Sequence, residues 1–150
     1  MPYLAVNGKS LFYTYTEHEN ASSNSERTIL LLHGLGSSSC FYQAITSQLR
    51  SVSRCIALDT SGSGLSQLGS SAQQSIVSIA ADAIGVLDAL NVKDKAFIVG
   101  HSMGGIVASY LAAEFPNRIC GVVLLGPVHP SPPVSTAFED RIRLIQKGSS

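Results

Sequence analysis

Charged residues are scarce in this sequence: they make up 13% of its 150 positions, and ten acidic side chains balance ten basic ones. Without a basic excess or a basic patch, the chain is a poor candidate for binding nucleic acid or an anionic membrane surface. Hydrophobic residues reach 45%, which excludes a disordered chain and is typical of a buried α/β domain. A chain of this length can form one domain with a hydrophobic core.

Long apolar segments and cysteines are also few. Gly, His or Ser interrupts every apolar stretch well short of a membrane span, and the N-terminus lacks the charged and apolar regions of a signal peptide. The three cysteines, Cys40, Cys55 and Cys120, are odd in number and lack metal-ligand spacing. We therefore expect buried thiols in a reducing compartment, a cytoplasmic protein, and neither a metal nor an organic cofactor.

An alternation of apolar runs and helical patterns occupies most of the chain. Asn7-Gly8 predicts a tight turn between β-rich segments at 3–6 and 10–16. Further strands are predicted at 28–32, 55–58, 96–99 and 121–125, helices at 41–49, 76–90, 102–113 and 136–147, and a proline-rich irregular loop at 126–133. Such alternation forms right-handed βαβ units. The predicted fold class is α/β, with a mostly parallel sheet, an N-terminal antiparallel hairpin and flanking helices.

The segment Gly100–Gly104 (GHSMG) has the form G-x-S-x-G and joins a predicted strand directly to a predicted helix. A serine nucleophile raised on a sharp turn requires this context and small neighbours, which Gly100 and Gly104 provide. The start of the following helix offers free backbone N–H groups and a favourable dipole to an oxyanion. An N-capping serine in an ordinary loop is the alternative. We interpret Ser102 as a nucleophile.

A second glycine-rich segment, His33–Gly36 (HGLG), directly follows the predicted strand 28–32. Such a loop can bring a backbone N–H close to a carbonyl oxygen and, with the N–H of Met103, form a two-donor oxyanion hole. A phosphate-binding loop is the alternative. It is disfavoured because no Lys-Ser or Lys-Thr follows the glycines, and the pattern G-x-G-x-x-G ends in Ser39.

A third segment, Asp59–Ser66 (DTSGSGLS), follows the predicted strand 55–58. Asp59 could be a catalytic acid or could fold a tight turn through its carboxylate, and we interpret it as structural.

Together the three segments, in this order and spacing, resemble the α/β-hydrolase superfamily, whose patterns H-G-x-G, D-x-x-G-x-G-x-S and G-H-S-M-G-G they reproduce. Within it the chain is most similar to the enol-lactonase-like esterases and lactonases. The resemblance implies that Ser102 attacks a small-molecule ester or lactone, and that Leu35 and Met103 donate backbone N–H groups to the oxyanion. The supporting motif residues are His33, Gly34, Gly36, Gly100, His101 and Gly104.

Acid and base partners for Ser102 are not identified in the sequence, although the family triad runs Ser, then Asp or Glu, then His. The candidates considered are His18, His33, His101, His129, Asp88, Asp94, Glu139 and Asp140. Only His129, after the last predicted strand, could approach a pocket mouth. We therefore expect the N-terminal half of the family fold, with core residues 1–133, a truncated helical cap at 134–150, and the rest of the cap and the last strands absent.

Two expectations follow. A hydroxyl without a base is a weak nucleophile, so the chain alone should hydrolyse esters poorly. The alternatives are an inactive fragment or binding module of the same fold, or an acid and His supplied by a separate chain or a second copy. Strand 121–125 would also form an open apolar edge, which predicts self-association through it.

Overall fold

The computed structural model describes residues 2–20, 27–70, 74–128 and 132–148. Its strands are β1 (Tyr3–Val6), β2 (Lys9–Thr16), β3 (Thr28–Leu32), β4 (Arg54–Leu58), β5 (Ala96–His101) and β6 (Ile119–Leu125). Its α-helices are α1 (Gln43–Leu49), α2 (Ile76–Ala89), α3 (Met103–Glu114) and α4 (Pro132–Gly148), and a 3₁₀ turn (Ser39–Tyr42) leads into α1. Strands and helices therefore alternate from β3 onward, as predicted.

One six-stranded sheet, ordered β1-β2-β4-β3-β5-β6, contains all the strands of the described residues. The turn between β1 and β2 is made by Asn7 and Gly8, which have φ of 50° and 74°, the conformation that tight hairpin turns favour. Strand β2 also runs antiparallel to β4, whereas β4, β3, β5 and β6 are mutually parallel. The mostly parallel sheet with an N-terminal hairpin is thus confirmed. The parallel strands all end at one edge, here called the C-terminal edge.

Helices cover the two faces of the sheet unequally. Helices α2 and α3 pack on one face over a large core, whose fully buried members include Leu30, Leu32, Ile56, Leu87, Ile98 and Leu111. The 3₁₀ turn and α1 lie on the other face over a smaller cluster of Leu31, Tyr42, Cys55 and Ala57. Burying one such aliphatic side chain contributes about 1.5–3 kcal/mol. The larger core therefore provides most of the hydrophobic stabilisation and holds α3 against the sheet.

A buried ion pair ties the hairpin to α2. The Asp82 carboxylate accepts a 2.6 Å bond from Lys9 Nζ and a 3.0 Å bond from Asn7 Nδ2, and Asp82 is almost fully buried. Next to it, Gly85 contacts β1 so closely that a Cβ would collide with Val6. The hairpin turn is thus fixed on the helix by charge and by close packing.

Two local expectations were wrong. The three thiols were expected to be buried, but only Cys55 is buried. Cys40 lies in the 3₁₀ turn and Cys120 at an irregularity where β6 begins, and both are exposed. The irregular loop was expected to extend to Pro133, but α4 already begins at Pro132. Proline is tolerated in the first turn of a helix, where its missing N–H is not needed.

Among the described residues, no helix combines the length and apolarity needed to cross a bilayer.

The ion pair at Asp82 yields a stability prediction. Asp82→Ala should lower the free energy of unfolding by about 3 kcal/mol, because it leaves a partly buried ammonium without its partner. The matched control is Asp88→Ala, since Asp88 lies 2.7 Å from Arg118 Nη1 but is 59% exposed. An exposed pair of this kind is worth less than about 1 kcal/mol. Urea denaturation of both variants checks this, and equal losses would contradict burial as the origin of the effect.

Candidate active site

Ser102 occupies a strained turn at the C-terminal edge, between β5 and α3. Its backbone has φ 51° and ψ −114°, in the positive-φ region that residues other than glycine rarely adopt. The Ser102 N–H donates to the Leu125 carbonyl at 3.0 Å, and its carbonyl accepts from the Gly105 N–H at 2.9 Å. Its side chain makes no capping bond to α3. Ser102 thus occupies the N-cap position of α3, but its side chain does not cap the helix.

Two glycines allow α3 to begin directly against the sheet. A Cβ on Gly100 would collide with the Gly104 carbonyl, and a Cβ on Gly104 would collide with the Leu32 carbonyl at the end of β3. By contrast, a Cβ on Gly105 would lie at 3.4 Å or more from its neighbours. Gly100 and Gly104 are thus required by backbone contact, as the sequence motif predicted.

The glycine-rich loop after β3 lies against the Ser102 turn. A Cβ on Gly34 would stand 3.1 Å from Ser102 Cβ and 2.9 Å from His101 Nδ1. Leu35, at the tip, is 64% exposed, and its N–H donates no hydrogen bond within the described residues. Met103 is the first residue of α3, so its N–H has no hydrogen-bond acceptor within the helix. The two segments are brought together, and the roles of Leu35 and Met103 stay predictions.

His33 joins this loop to the loop after β4. Its ring is fully buried, with Nδ1 2.7 Å from the Gly34 carbonyl and Nε2 accepting from the Thr60 N–H at 3.1 Å. Because Nε2 must accept, the proton lies on Nδ1 and is donated to Gly34. With both ring nitrogens engaged, His33 positions the loop and is not available as a base for Ser102.

Asp59 holds the same region together through its carboxylate. One oxygen accepts the Ser39 N–H at 2.6 Å and the other the Leu65 N–H at 2.8 Å, and the side chain is buried. Ser66 Oγ donates to the Asp59 carbonyl at 2.6 Å and accepts from the Phe12 N–H at 2.8 Å. These contacts confirm the structural interpretation of Asp59.

Tyr42 and Phe41 contact residues next to the Ser102 turn, and the sequence did not reveal this role. The buried Tyr42 hydroxyl donates to the Leu32 carbonyl at 2.8 Å, and burial raises the pKa of Tyr42 to about 12. The Phe41 ring stacks on the His101 ring with centroids 4.3 Å apart. His101 Nδ1 is buried without a hydrogen-bond partner among the described residues. The only local signal was a pair of adjacent aromatic residues.

In the described part of the chain, no acidic or basic side chain is hydrogen-bonded to Ser102. His18 follows β2, whose end pairs with the start of β4, and Asp94 precedes β5. Both residues therefore lie at the edge opposite the C-terminal edge, about 20 Å from Ser102 along a six-residue strand. Asp88 pairs with Arg118 away from the site. Glu139 and Asp140 are exposed on α4. His129 lies outside the described residues.

Ser102 belongs neither to a candidate metal cluster nor to the cleft that the described residues form. These residues contain no group of three or more His, Cys, Asp or Glu side chains that could hold a metal ion. A cleft of about 510 Å³ lies between β2, α1 and the loop after β4, lined by side chains such as Phe12, Thr14, Cys40 and Gln43. Ser102 does not line it, so this cleft is not the substrate site of the proposed nucleophile.

Comparison with known proteins places these features in context. The model of the alpha/beta hydrolase fold family matches residues 27–148. The putative carbamate hydrolase RutD of Variovorax paradoxus (strain S110) is 33% identical over 119 residues, which are 78% of this chain and 44% of the relative. The 2-hydroxymuconate semialdehyde hydrolase of Pseudomonas putida is 38% identical over 112 residues, covering 73% of this chain and 40% of the relative.

A solved structure has the same architecture. The crystal structure of the enol-lactonase from Burkholderia xenovorans LB400 matches with a TM-score of 0.73 at 30% identity, covering 81% of this chain and 45% of that one. The chain thus spans less than half the length of each of these three relatives.

The contact between α3 and the sheet yields a second prediction. Gly104→Ala should destabilise the fold by about 3 kcal/mol or more, since the added methyl meets a backbone carbonyl that Tyr42 holds in place. Gly105→Ala is the control one residue away, and should be neutral or stabilising by up to about 1 kcal/mol because alanine favours a helix. Thermal and urea unfolding measure both. Similar effects of the two substitutions would contradict the backbone contact at Gly104.

Proposed function

The chain belongs to the alpha/beta hydrolase fold family, and on that basis we propose that it carries the nucleophile of a serine hydrolase that cleaves a carboxylic ester or lactone. The observation that supports Ser102 in this role is its positive φ of 51°. A non-glycine residue held in this region costs about 1–3 kcal/mol, and such strain concentrates at functional sites. No hydrogen bond within the described residues engages the Ser102 hydroxyl, which lies where the parallel strands end.

In the proposed reaction, Ser102 Oγ attacks the carbonyl carbon of the substrate and the carbonyl electron pair moves onto its oxygen. The N–H groups of Leu35 and Met103 donate to that oxyanion, and the contact between Gly34 and Ser102 supports this arrangement. Collapse of the intermediate breaks the bond between the carbonyl carbon and the leaving oxygen, which takes up the proton lost by Ser102, and leaves an acyl group on Ser102. The alcohol departs from an ester but stays attached to the acyl chain of an opened lactone, and water then hydrolyses the acyl-enzyme. Each oxyanion donor of this kind contributes about 3–4 kcal/mol to lowering the barrier.

Proton transfer limits what this chain can do by itself. Ser102 must lose its proton during attack, and within the described residues no carboxylate or imidazole is hydrogen-bonded to its hydroxyl. In a well-studied serine protease, loss of the triad His lowers turnover by about 10⁶. We therefore propose that this chain carries only the nucleophile and oxyanion half of the site, with 1–133 forming core and 134–150 the start of a helical cap.

The second candidate is a catalytically inactive fragment or binding module of the same fold. The Ser102 hydroxyl without a base among the described residues, and a cleft that does not reach it, favour this candidate. The names of the three relatives above point to different substrates: a carbamate, a 2-hydroxymuconate semialdehyde and an enol lactone. From these names we extend to this chain only the ester or lactone class of the enol-lactonase. A cytoplasmic location stays a prediction.

Covalent labelling distinguishes the two candidates. A fluorophosphonate probe should label the folded chain at Ser102, slowly and with little turnover of a p-nitrophenyl ester, because Leu35 and Met103 are the proposed oxyanion donors and no base for Ser102 lies among the described residues. Ser102→Ala should abolish labelling. Ser109→Ala is the matched control, since Ser109 lies on α3 with its hydroxyl bonded to the Gly105 carbonyl, and it should label like the unmodified chain. Intact-mass and peptide mass spectrometry locate the adduct.

A folded chain that is not labelled, or a Ser102→Ala variant that is labelled equally well, would contradict the role of Ser102 as nucleophile. Either result would favour the inactive fragment or binding module. Rapid ester turnover that Ser102→Ala abolishes would agree with Ser102 as the nucleophile but would contradict the proposal that the chain lacks a base for it.

A further inference from the structure

The ring of His101, the residue directly before Ser102, contacts two separate segments of the candidate site. Its Nδ1 edge faces the loop after β3, since a Cβ on Gly34 would stand 2.9 Å from Nδ1. Its face stacks on the Phe41 ring of the 3₁₀ turn, with centroids 4.3 Å apart and ring planes 20° from parallel. One side chain thus connects the proposed oxyanion loop to the turn that leads into α1.

Hydrogen bonding does not explain why the His101 ring lies there. Its Nδ1 is buried and has no partner among the described residues, and a buried polar atom without a partner is destabilising. A proton on Nδ1 would find no acceptor among these residues, and a lone pair finds no donor. The ring therefore contributes through its shape and its stacking, which an aromatic ring without nitrogen can also provide.

The peptide between Gly34 and Leu35 is fixed in direction by one contact and in position by another. Its carbonyl accepts from His33 Nδ1 at 2.7 Å. Because a trans peptide is planar, with C=O and N–H pointing in opposite directions, this bond also sets the direction of the Leu35 N–H. The distance of Gly34 from the nucleophile is set by the atoms on which Gly34 lies, which are the His101 ring and the Cβ of Ser102.

We propose that His101 is a positioning residue for the proposed reaction. Its ring, held by Phe41, keeps the peptide between Gly34 and Leu35 in place beside Ser102. This inference rests on the proposed function, in which the Leu35 N–H is an oxyanion donor. Loss of such a donor lowers the rate by about 10²–10³, and a displacement of about 1 Å can cost as much as 10²-fold. The ring thus acts on the reaction without touching the substrate.

The 3₁₀ turn gives Phe41 a fixed position. At the start of the turn, the Ser39 N–H donates to the buried Asp59 carboxylate at 2.6 Å, and the Phe41 N–H donates to the Ser38 carbonyl at 3.1 Å. The next residue, Tyr42, is fully buried, and its ring meets the Phe41 ring edge to face with centroids 5.0 Å apart. The stack on His101 therefore has a firm base.

Replacing the two rings tests the proposal. His101→Ala should slow fluorophosphonate labelling of Ser102 at least about tenfold, because the loop loses its support. His101→Phe should label within about threefold of the unmodified chain, since its ring still stacks on Phe41 and extends only at the partly exposed outer end. Phe41→Ala should slow labelling as His101→Ala does. The matched control is Phe97→Ala, near the start of β5, where the side chain is 42% exposed against 48% for Phe41. This control should label like the unmodified chain.

Gly34→Ala tests the same contact from the loop. The added methyl would stand 2.9 Å from His101 Nδ1, so by itself it should displace the loop and slow labelling. In the His101→Ala background the methyl no longer meets the ring, so Gly34→Ala should cost less there than in the unmodified chain. Equal costs in the two backgrounds would contradict a contact between the ring and the loop.

NMR relaxation separates a failure of this proposal from a failure of the proposed function. The order parameter of the Leu35 amide should be about 0.85 in the unmodified chain and in His101→Phe, and should fall towards about 0.6 in His101→Ala. An unmodified chain that is not labelled at Ser102 would contradict the proposed function, while the order parameters still test the positioning.

Two results would overturn the role of the ring. One is unchanged labelling and unchanged Leu35 order in His101→Ala, and the other is an equal loss in His101→Phe and His101→Ala. Circular dichroism confirms that each variant is folded. If His101→Ala does not fold, Phe41→Ala provides the same test, and labelling and Leu35 order that match the unmodified chain would then overturn the proposal.

Discussion

The close contact between the start of α3 and the ends of β3 and β5 is the constraint on which the site depends. Gly104 lies against the Leu32 carbonyl, and Gly100 lies against Gly104 itself. With no side chain at either position, the helix begins directly at the sheet, and the connecting residue must turn within one position. Ser102 is that residue, and its positive φ follows from the packing on both sides of it. The strain is maintained because the larger core holds α3 in place.

Buried polar contacts extend this constraint to the neighbouring loops. The Tyr42 hydroxyl holds the Leu32 carbonyl, His33 joins the loop after β3 to Thr60, and Asp59 joins the loop after β4 to the 3₁₀ turn. Each of these groups is buried, so each bond that is lost leaves an unsatisfied partner and costs about 1–3 kcal/mol. The loop carrying Leu35 is thus held against Ser102 by residues that need not touch a substrate. Such support is what a preorganised oxyanion site requires.

The features that were predictable from sequence depend on local pattern. Apolar runs located β3 to β6, Asn7-Gly8 located the hairpin, and glycines at fixed offsets from Ser102 located the turn. The features that were missed depend on contacts between distant residues. Asp82 becomes buried because Lys9 reaches it from the hairpin, and Tyr42 becomes a support because it lies under β3 and β5. Neither partner is marked by spacing in the sequence. The exposed thiols of Cys40 and Cys120 likewise depend on local geometry that composition does not encode.

The central claim is that Ser102 and the two N–H groups of Leu35 and Met103 form one preorganised site. A crystal structure of the phosphonylated chain tests it most directly. The account predicts phosphorus bonded to Ser102 Oγ, a phosphoryl oxygen within about 3 Å of both N–H groups, and an unchanged positive φ at Ser102. A phosphoryl oxygen directed away from both groups, or a relaxed φ at Ser102, would contradict it.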